Sequence, residues 1–178
     1  MGMNRKKMFS DDLSNQEHDF DTARQLLDHA DQNGIKRCPL DVEGLAKFLG
    51  IEVRFENLKG DISGILEKND AKWIMRVNKK HHPHRQRYTI AHELGHYCLH
   101  RHQESIFEDV IFFRGLKPTE TEWQANQFAS EILMPDYEFS KAIEEGITDI
   151  EQLAKRFCVS SMAVRVRAKQ LGYTGHGL

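Results

Sequence analysis

The amino-acid sequence predicts an α+β domain in which a small three-stranded sheet packs on helices. Three segments, 51–55, 62–66 and 73–77, are short, rich in apolar residues and bounded by turn residues, which is typical of strands. The segments before and after them have apolar residues at helical spacing instead. Because strands and helices occupy separate parts of the chain, we expect the helices to lie on one side of the sheet.

Apolar residues at helical spacing, bounded by capping residues, glycine or proline, predict six helices. They are expected at 19–30, at 39–49, from Pro83 onwards, at 118–135, at 148–157 and from Ser160 to Gly172. Asn69 and Asp70 are turn-forming residues, so we expect them to join the second and third strands. Residues 1–18 are polar and are expected to be frayed.

The composition indicates one domain, or one domain with a small appendage, in 178 residues. A hydrophobic fraction of 39% is enough for a core, and a net charge of -2 gives no global attraction to nucleic acid or membrane. No apolar run has the length needed to cross a bilayer, and no signal peptide is recognised. Three widely spaced cysteines argue against a disulfide framework and for a reducing compartment, so we expect a cytoplasmic protein.

The stretch R-Y-T-I-A-H-E-L-G-H, residues 87–96, carries the pattern H-E-x-x-H on the helix that begins at Pro83. His92 and His96 are four residues apart, so both point from one helix face, with Glu93 about 100° round from His92. Two imidazoles one turn apart can bind one Zn²⁺, and the glutamate can then take a proton from water. We therefore predict a zinc site at His92 and His96, with Glu93 as general base.

A catalytic zinc site needs a third protein ligand, and His102 is one candidate. It lies ten residues after His92, but Leu99 occupies the place where a glycine would let the chain turn back to the metal. In a continuing helix His102 points away from the first motif histidine. We therefore predict that His100 and His102 are both surface residues.

A carboxylate on the later helix is the other candidate. Glu122 lies at the edge of the apolar stripe of this helix, near its N-terminus, and could face the histidine pair. Thr119-x-x-Glu122 is equally a capping box, in which Glu122 would only accept from a backbone N–H. Glu120 is a further alternative, and the spacing alone leaves these possibilities open.

Several other residues near the motif have potential chemistry. Cys98 falls on the apolar stripe of the motif helix, so we predict a core thiol that does not bind metal. The tract H-H-P-H at 81–84 is predicted to lie at the surface, because its proline suits the first turn of a helix. Tyr88, one turn before the first motif histidine, and Arg85 are candidates for contact with a substrate or an oxyanion.

The C-terminal segment 148–172 predicts two short helices joined by a tight turn, a helix-turn-helix-like pair. Its second helix carries Arg165, Arg167 and Lys169, so DNA binding has to be considered. A similar pattern recurs at 41–49, where a strand follows instead of a recognition helix. Because the pair occurs once and the net charge is -2, we favour a scaffold role over direct DNA binding.

Two motifs together carry a resemblance to a known family. R-Y-T-I-A-H-E-L-G-H and E-W-Q-A-N-Q-F-A-S-E-I-L-M-P resemble those of the ImmA/IrrE family of bacterial metallo-endopeptidases, and the similarity extends over roughly residues 20–172. The resemblance implies a zincin-like peptidase fold, a Zn²⁺ cofactor and Glu122 as the third ligand. Gln124 stands where a second glutamate is common, and Tyr88 replaces the usual phenylalanine.

The resemblance also implies a domain organisation and a substrate. We expect a zinc metallopeptidase domain at 19–140 and a helical, helix-turn-helix-like region at 141–178 packed on it. The implied activity is cleavage of a helix-turn-helix transcriptional repressor, which relieves repression of a mobile element or stress response. The alternatives are a non-catalytic partner- or DNA-binding module and the toxin of a toxin–antitoxin pair. Glu93 favours the enzyme, because a purely structural zinc site needs no general base.

Overall fold

A four-stranded mixed sheet is the centre of the fold in the computed structural model, which describes residues 19–110 and 118–173. The strands are β1 (Ile51–Glu56), β2 (Ile62–Asn69), β3 (Lys72–Asn78) and β4 (Ile106–Val110). Their order is β1-β3-β2-β4, with β1 parallel to β3 and β2 antiparallel to both its neighbours. The predicted α+β class is confirmed, and residues 1–18 lie outside the described part.

The sheet has one strand more than the three that were predicted. β4 lies at the edge and pairs only with β2 among the described residues. Its apolar and polar residues do not alternate clearly. Phe107 is buried, but its neighbour Ile106 is also apolar and is exposed. Glu108 and Asp109 have low strand propensity, so the sequence signal for this strand is poor.

Seven helices accompany the sheet in the described residues. They are α1 (Ala23–Gln32), α2 (Val42–Phe48), α3 (Pro83–His100), α4 (Glu120–Leu133), α5 (Asp136–Glu144), α6 (Ile150–Phe157) and α7 (Ser161–Gln170). The sequence prediction missed α5, whose N-cap is Pro135 and has no side-chain cap. None of the described helices is both long and apolar enough to span a membrane.

Side-chain caps fix where several helices begin. Thr22 and Gln25 form a capping box at the start of α1, so this helix begins later than residue 19, where it was predicted to start. Helix α6 was predicted to begin at residue 148, but Asp149 is its N-cap, because the Asp149 carboxylate accepts from the backbone N–H groups of Glu151 and Gln152. Ser160 caps α7 as predicted.

The central helix α3 lies against the sheet on one side and against α4 on the other. Gly95 permits the close approach to α4, since a Cβ there would lie 3.0 Å from both the Cα and the carbonyl oxygen of Ala125. Two helix backbones this close bring their side chains into direct contact. The histidine-bearing face of α3 therefore meets the N-terminal half of α4.

The α6–α7 pair is attached to the rest of the chain by a buried arginine. Cys158 ends α6 in the left-handed conformation, with φ 52°. Arg167 of α7 is buried, donates from Nε to the carbonyl oxygen of Met134 at 2.9 Å and forms an ion pair with Asp136. Of the three basic residues considered for DNA contact, Arg167 is therefore the one whose guanidinium is bound within the protein, at the junction of α4 and α5. Arg165 and Lys169 are exposed.

Candidate metal centre

Three side chains converge between α3 and α4. His92 and His96 are both buried on one face of α3, and their Nε2 atoms are 3.1 Å apart. The two carboxylate oxygens of Glu122, in the first turn of α4, lie 3.2 Å from these two nitrogens, one oxygen against each. The structure thus joins the predicted histidine pair and the predicted carboxylate in one group that could hold a metal ion.

The spacing of the donor atoms fits a tetrahedral ion. Two ligand atoms that each lie about 2.0–2.1 Å from a tetrahedral zinc are about 3.3–3.4 Å from one another. Here the two Nε2 atoms are 3.1 Å apart, and each lies 3.2 Å from its own oxygen of Glu122. These separations are close to those that a tetrahedral ion needs. Two imidazoles and one carboxylate are also a donor set found in catalytic zinc sites, which leave the fourth position open.

The capping alternative for Glu122 is resolved by where its two groups point. Its backbone N–H donates to the hydroxyl of Thr119 at 3.3 Å, so Thr119 is indeed the N-cap of α4. The Glu122 carboxylate, however, faces the histidine pair. Glu120, the weaker alternative, accepts instead from the side-chain amide of Gln124.

The two remaining histidines near the motif have different environments. The side chain of His102 is 63% exposed and lies beside Asp19, away from the converging group. His100 was predicted at the surface, and this is wrong: it is 2% exposed. Its Nδ1 lies 3.1 Å from Nδ1 of His96, and its Nε2 lies 2.9 Å from Oε1 of Gln124.

Glu93 is completely buried next to the histidine pair. Within the described residues neither of its carboxylate oxygens has a hydrogen-bond partner. Burial raises the pKa of Glu93; the positive charge of His92 lowers it, Asp109 and Glu122 raise it again, and the result is a pKa of about 8. This burial without a partner favours the protonated form of Glu93 near neutral pH, and a cation bound beside it would lower the pKa again. An unpartnered group with a perturbed pKa is expected where chemistry takes place.

The strand β2 makes room for this carboxylate at Gly64. A Cβ on Gly64 would lie 2.8 Å from Oε1 of Glu93 and 2.5 Å from Cγ2 of Thr89. Asp109 of β4 pairs with Gly64 across the strands, which is why its charge acts on Glu93. The sheet therefore shapes the cavity in which the carboxylate lies.

The ionisable side chains of the converging group shift one another's pKa values. Burial would lower the pKa of His92, but the hydrogen bond to Glu122 and the charges of Glu93, Asp109 and Glu122 raise it to about 9. The pKa of His96 is lowered, chiefly by burial. Burial would raise the pKa of Glu122, but its hydrogen bonds to both histidines hold it well below its usual value. A cation would suit this site, because it would stabilise the carboxylate and neutral imidazoles.

Asn126 connects Tyr88 to the first histidine. The hydroxyl of Tyr88 donates to Oδ1 of Asn126 at 3.0 Å, and the same oxygen lies 3.2 Å from Nδ1 of His92. Burial and the charge of Asp109 raise the pKa of Tyr88 to about 12. Sequence reasoning gave Asn126 no role, although it falls in the second motif. Arg85, the other predicted contact, donates to the hydroxyl of Ser63 at 3.1 Å.

Cys98 lies in the hydrophobic core and outside the converging group. Burial raises the pKa of its thiol to about 12, as expected of a core thiol. We expect the Cys98→Ala variant to retain full metal occupancy, measured by elemental analysis of the purified protein against wild type. Substoichiometric metal in a correctly folded variant would contradict this assignment.

The comparison with known proteins now identifies the family. Residues 46–169 match the peptidase M78 family, described as an IrrE N-terminal-like domain. The chain belongs to this family. Over 121 residues it is 32% identical to the "Metallopeptidase ImmA" of Bacillus subtilis (strain 168), a match that covers 66% of this chain and 69% of that protein. The IrrE-like family and the name of this relative both indicate a metallopeptidase.

A solved structure shares the fold. The chain superposes on a "Mycobacterium tuberculosis transcriptional regulator" with a TM-score of 0.58 and 24% sequence identity, covering 83% of this chain. The match spans 46% of the regulator, so the IrrE-like chain corresponds to about half of that protein's length. At this identity the likeness concerns the fold alone.

Proposed function

We propose that this protein is a zinc-dependent endopeptidase, with His92, His96 and Glu122 as metal ligands and Glu93 as general base. The observation that carries the proposal is the completely buried, unpartnered carboxylate of Glu93 beside three convergent ligand atoms. A structural zinc site would need a fourth protein ligand and no such carboxylate. Family membership supports a peptidase over a structural site.

In this proposal each role in hydrolysis is assigned to a different residue or group of residues. A zinc ion between His92, His96 and Glu122 would supply Lewis-acid chemistry, acidifying water and polarising the scissile carbonyl. Glu93 accepts the proton of the attacking water and passes it to the leaving amine. Tyr88 is our proposed contact to the substrate or the oxyanion, and for this its hydroxyl would leave Asn126 and donate to the substrate.

We further propose that the substrate is a helix-turn-helix transcriptional repressor in the cytoplasm, and that cleavage relieves repression of a mobile element or stress response. The support is the resemblance of both motifs to the ImmA/IrrE peptidases and the 32% identity to a metallopeptidase of that name. The α6–α7 pair is then a scaffold, with Arg167 used to attach it and not to contact DNA.

The experiment is to incubate the zinc-loaded protein with the repressor encoded nearest its gene and to follow fragments by mass spectrometry. We expect specific cleavage that is lost after chelation and restored by zinc. A stable complex without fragments, at full zinc occupancy, would support a non-catalytic partner-binding module or a toxin. A shift of promoter DNA that is lost on changing exposed Arg165 and Lys169 would support direct DNA binding.

Gly64 offers a separate test of how Glu93 is positioned. In the Gly64→Ala variant the added methyl would collide with Thr89 and with the Glu93 carboxylate, so the general base has to move. Because a displacement of about 1 Å can cost about 10²-fold in rate, we expect a loss of that order in kcat. Zinc occupancy should stay full, since the three atoms nearest the added methyl belong to Thr89 and Glu93, neither of which is a proposed ligand. Unchanged kcat would show that Glu93 need not lie where the structure places it.

A further inference from the structure

The Nδ1 atom of each candidate ligand histidine is linked by hydrogen bonds to a side-chain amide of α4. The link is direct for His92 and passes through His100 for His96. Nδ1 of His92 lies 3.2 Å from Oδ1 of Asn126. Nδ1 of His96 lies 3.1 Å from Nδ1 of His100, whose Nε2 lies 2.9 Å from Oε1 of Gln124. His100 is therefore buried between a proposed ligand and an amide oxygen.

The two histidines alone do not determine which nitrogen carries a proton. A histidine can bind metal through Nε2 only when its proton sits on Nδ1. His96 meets this condition if its Nδ1 carries the proton and donates to Nδ1 of His100. In the opposite arrangement His100 donates, the proton of His96 moves to Nε2, and the nitrogen that faces the site cannot bind an ion.

Gln124 removes this ambiguity. Its Oε1 can only accept, so the Nε2 of His100 must donate to it, and a neutral His100 then has Nδ1 free to accept from His96. The orientation of the amide is fixed by Glu120, because the amide nitrogen of Gln124 lies 3.4 Å from a Glu120 carboxylate oxygen. Turning the amide over would place two acceptor oxygens against each other.

We propose that Gln124 and His100 are positioning residues that set the tautomer of His96, so that its Nε2 is available to the metal. Asn126 has the matching role for His92. Its Oδ1 accepts a hydrogen bond from the hydroxyl of Tyr88, so the atom that faces Nδ1 of His92 is an acceptor and this Nδ1 carries the proton. The ring of Phe107 stacks on that of His96, with centroids 4.6 Å apart, and limits its rotation. This inference rests on the proposed metal site and adds the residues that prepare it.

The variants that test it are Gln124→Leu, which removes the acceptor, and Gln124→Glu, which keeps one. Gln127→Leu is the matched control on the same helix, since Gln127 bonds to Glu131 and Gln170. Zinc affinity is measured by competition with a chromophoric chelator. We expect Gln124→Leu to weaken zinc binding by about 10–100-fold, and we expect Gln124→Glu and Gln127→Leu to bind like wild type. Equal affinity of folded Gln124→Leu and wild type would overturn the proposal.

The tautomer itself is read in the wild-type protein, which needs no variant to fold. Long-range ¹H–¹⁵N spectra distinguish protonated from unprotonated ring nitrogens, and we expect His100 to carry one proton, on Nε2, with and without zinc. A proton on Nδ1, or protons on both nitrogens, would overturn the proposal. Failure of wild type to bind zinc would instead contradict the proposed function, while the state of His100 would still be readable.

Discussion

Replacing Glu93 with glutamine is expected to abolish cleavage of the protein substrate while leaving the zinc in place. The amide has nearly the same shape as the carboxylate, so the buried cavity beside Gly64 and Thr89 stays filled. The glutamine amide, however, cannot accept a proton from water at neutral pH. General-base catalysis contributes about 10²–10⁴-fold, and we expect kcat to fall by at least that factor. The measurement is single-turnover cleavage with zinc quantified in the same sample.

The same variant separates catalysis from binding. Because Glu93 is not among the convergent ligand atoms, the Glu93→Gln protein should still bind the substrate and hold it uncleaved. Co-purification of an intact substrate with the variant, but not with wild type, would agree with this. If the variant loses zinc along with activity, Glu93 supports the metal site and its role as general base is wrong.

Replacing Glu122 with alanine is expected to weaken zinc binding severely. Its carboxylate is the one group from α4 that reaches both histidine Nε2 atoms in the described structure. Loss of a hydrogen-bond partner of a ligand costs about 10–100-fold in metal affinity, so loss of a ligand itself should cost more. Affinity is measured by chelator competition, and the thermal midpoint should no longer rise when zinc is added.

His102→Ala is the matched control for Glu122→Ala. His102 is exposed, lies beside Asp19 and is not one of the residues of the convergent group. It should bind zinc like wild type. Weakened binding in His102→Ala together with normal binding in Glu122→Ala would place the third ligand on the loop after α3 and contradict the site described above.

Local periodicity was sufficient to predict the elements that contain the site. The H-E-x-x-H spacing puts His92 and His96 on one face of a helix, and the structure has that helix at Pro83–His100. Strands β1, β2 and β3 were predictable for the same reason, since each has a bounded run of apolar residues. Edge strand β4 lacks such a signal. Helix α5 was missed although Phe139, Ala142 and Ile143 lie at helical spacing, because no side-chain cap marks its start.

The sequence alone could not predict which candidate third ligand faces the histidine pair. The spacing Thr119-x-x-Glu122 is compatible both with a capping box and with a ligand glutamate. Only the packing of α4 on α3 shows that the Glu122 carboxylate faces the histidines. The burial of His100 and of Arg167 likewise depends on contacts with Gln124 and Met134, which lie far away in the sequence. Sequence patterns indicate which face a residue occupies, but not what covers that face.

The most direct test of the central claim is anomalous diffraction from a zinc-loaded crystal at the zinc absorption edge. We expect a single strong peak between α3 and α4, about 2.0–2.2 Å from Nε2 of His92, Nε2 of His96 and a carboxylate oxygen of Glu122. Both oxygens of Glu93 should lie beyond bonding distance of the peak. A peak bonded to His100, His102 or Glu93, or no peak at this position in zinc-saturated protein, would contradict the proposed metal centre.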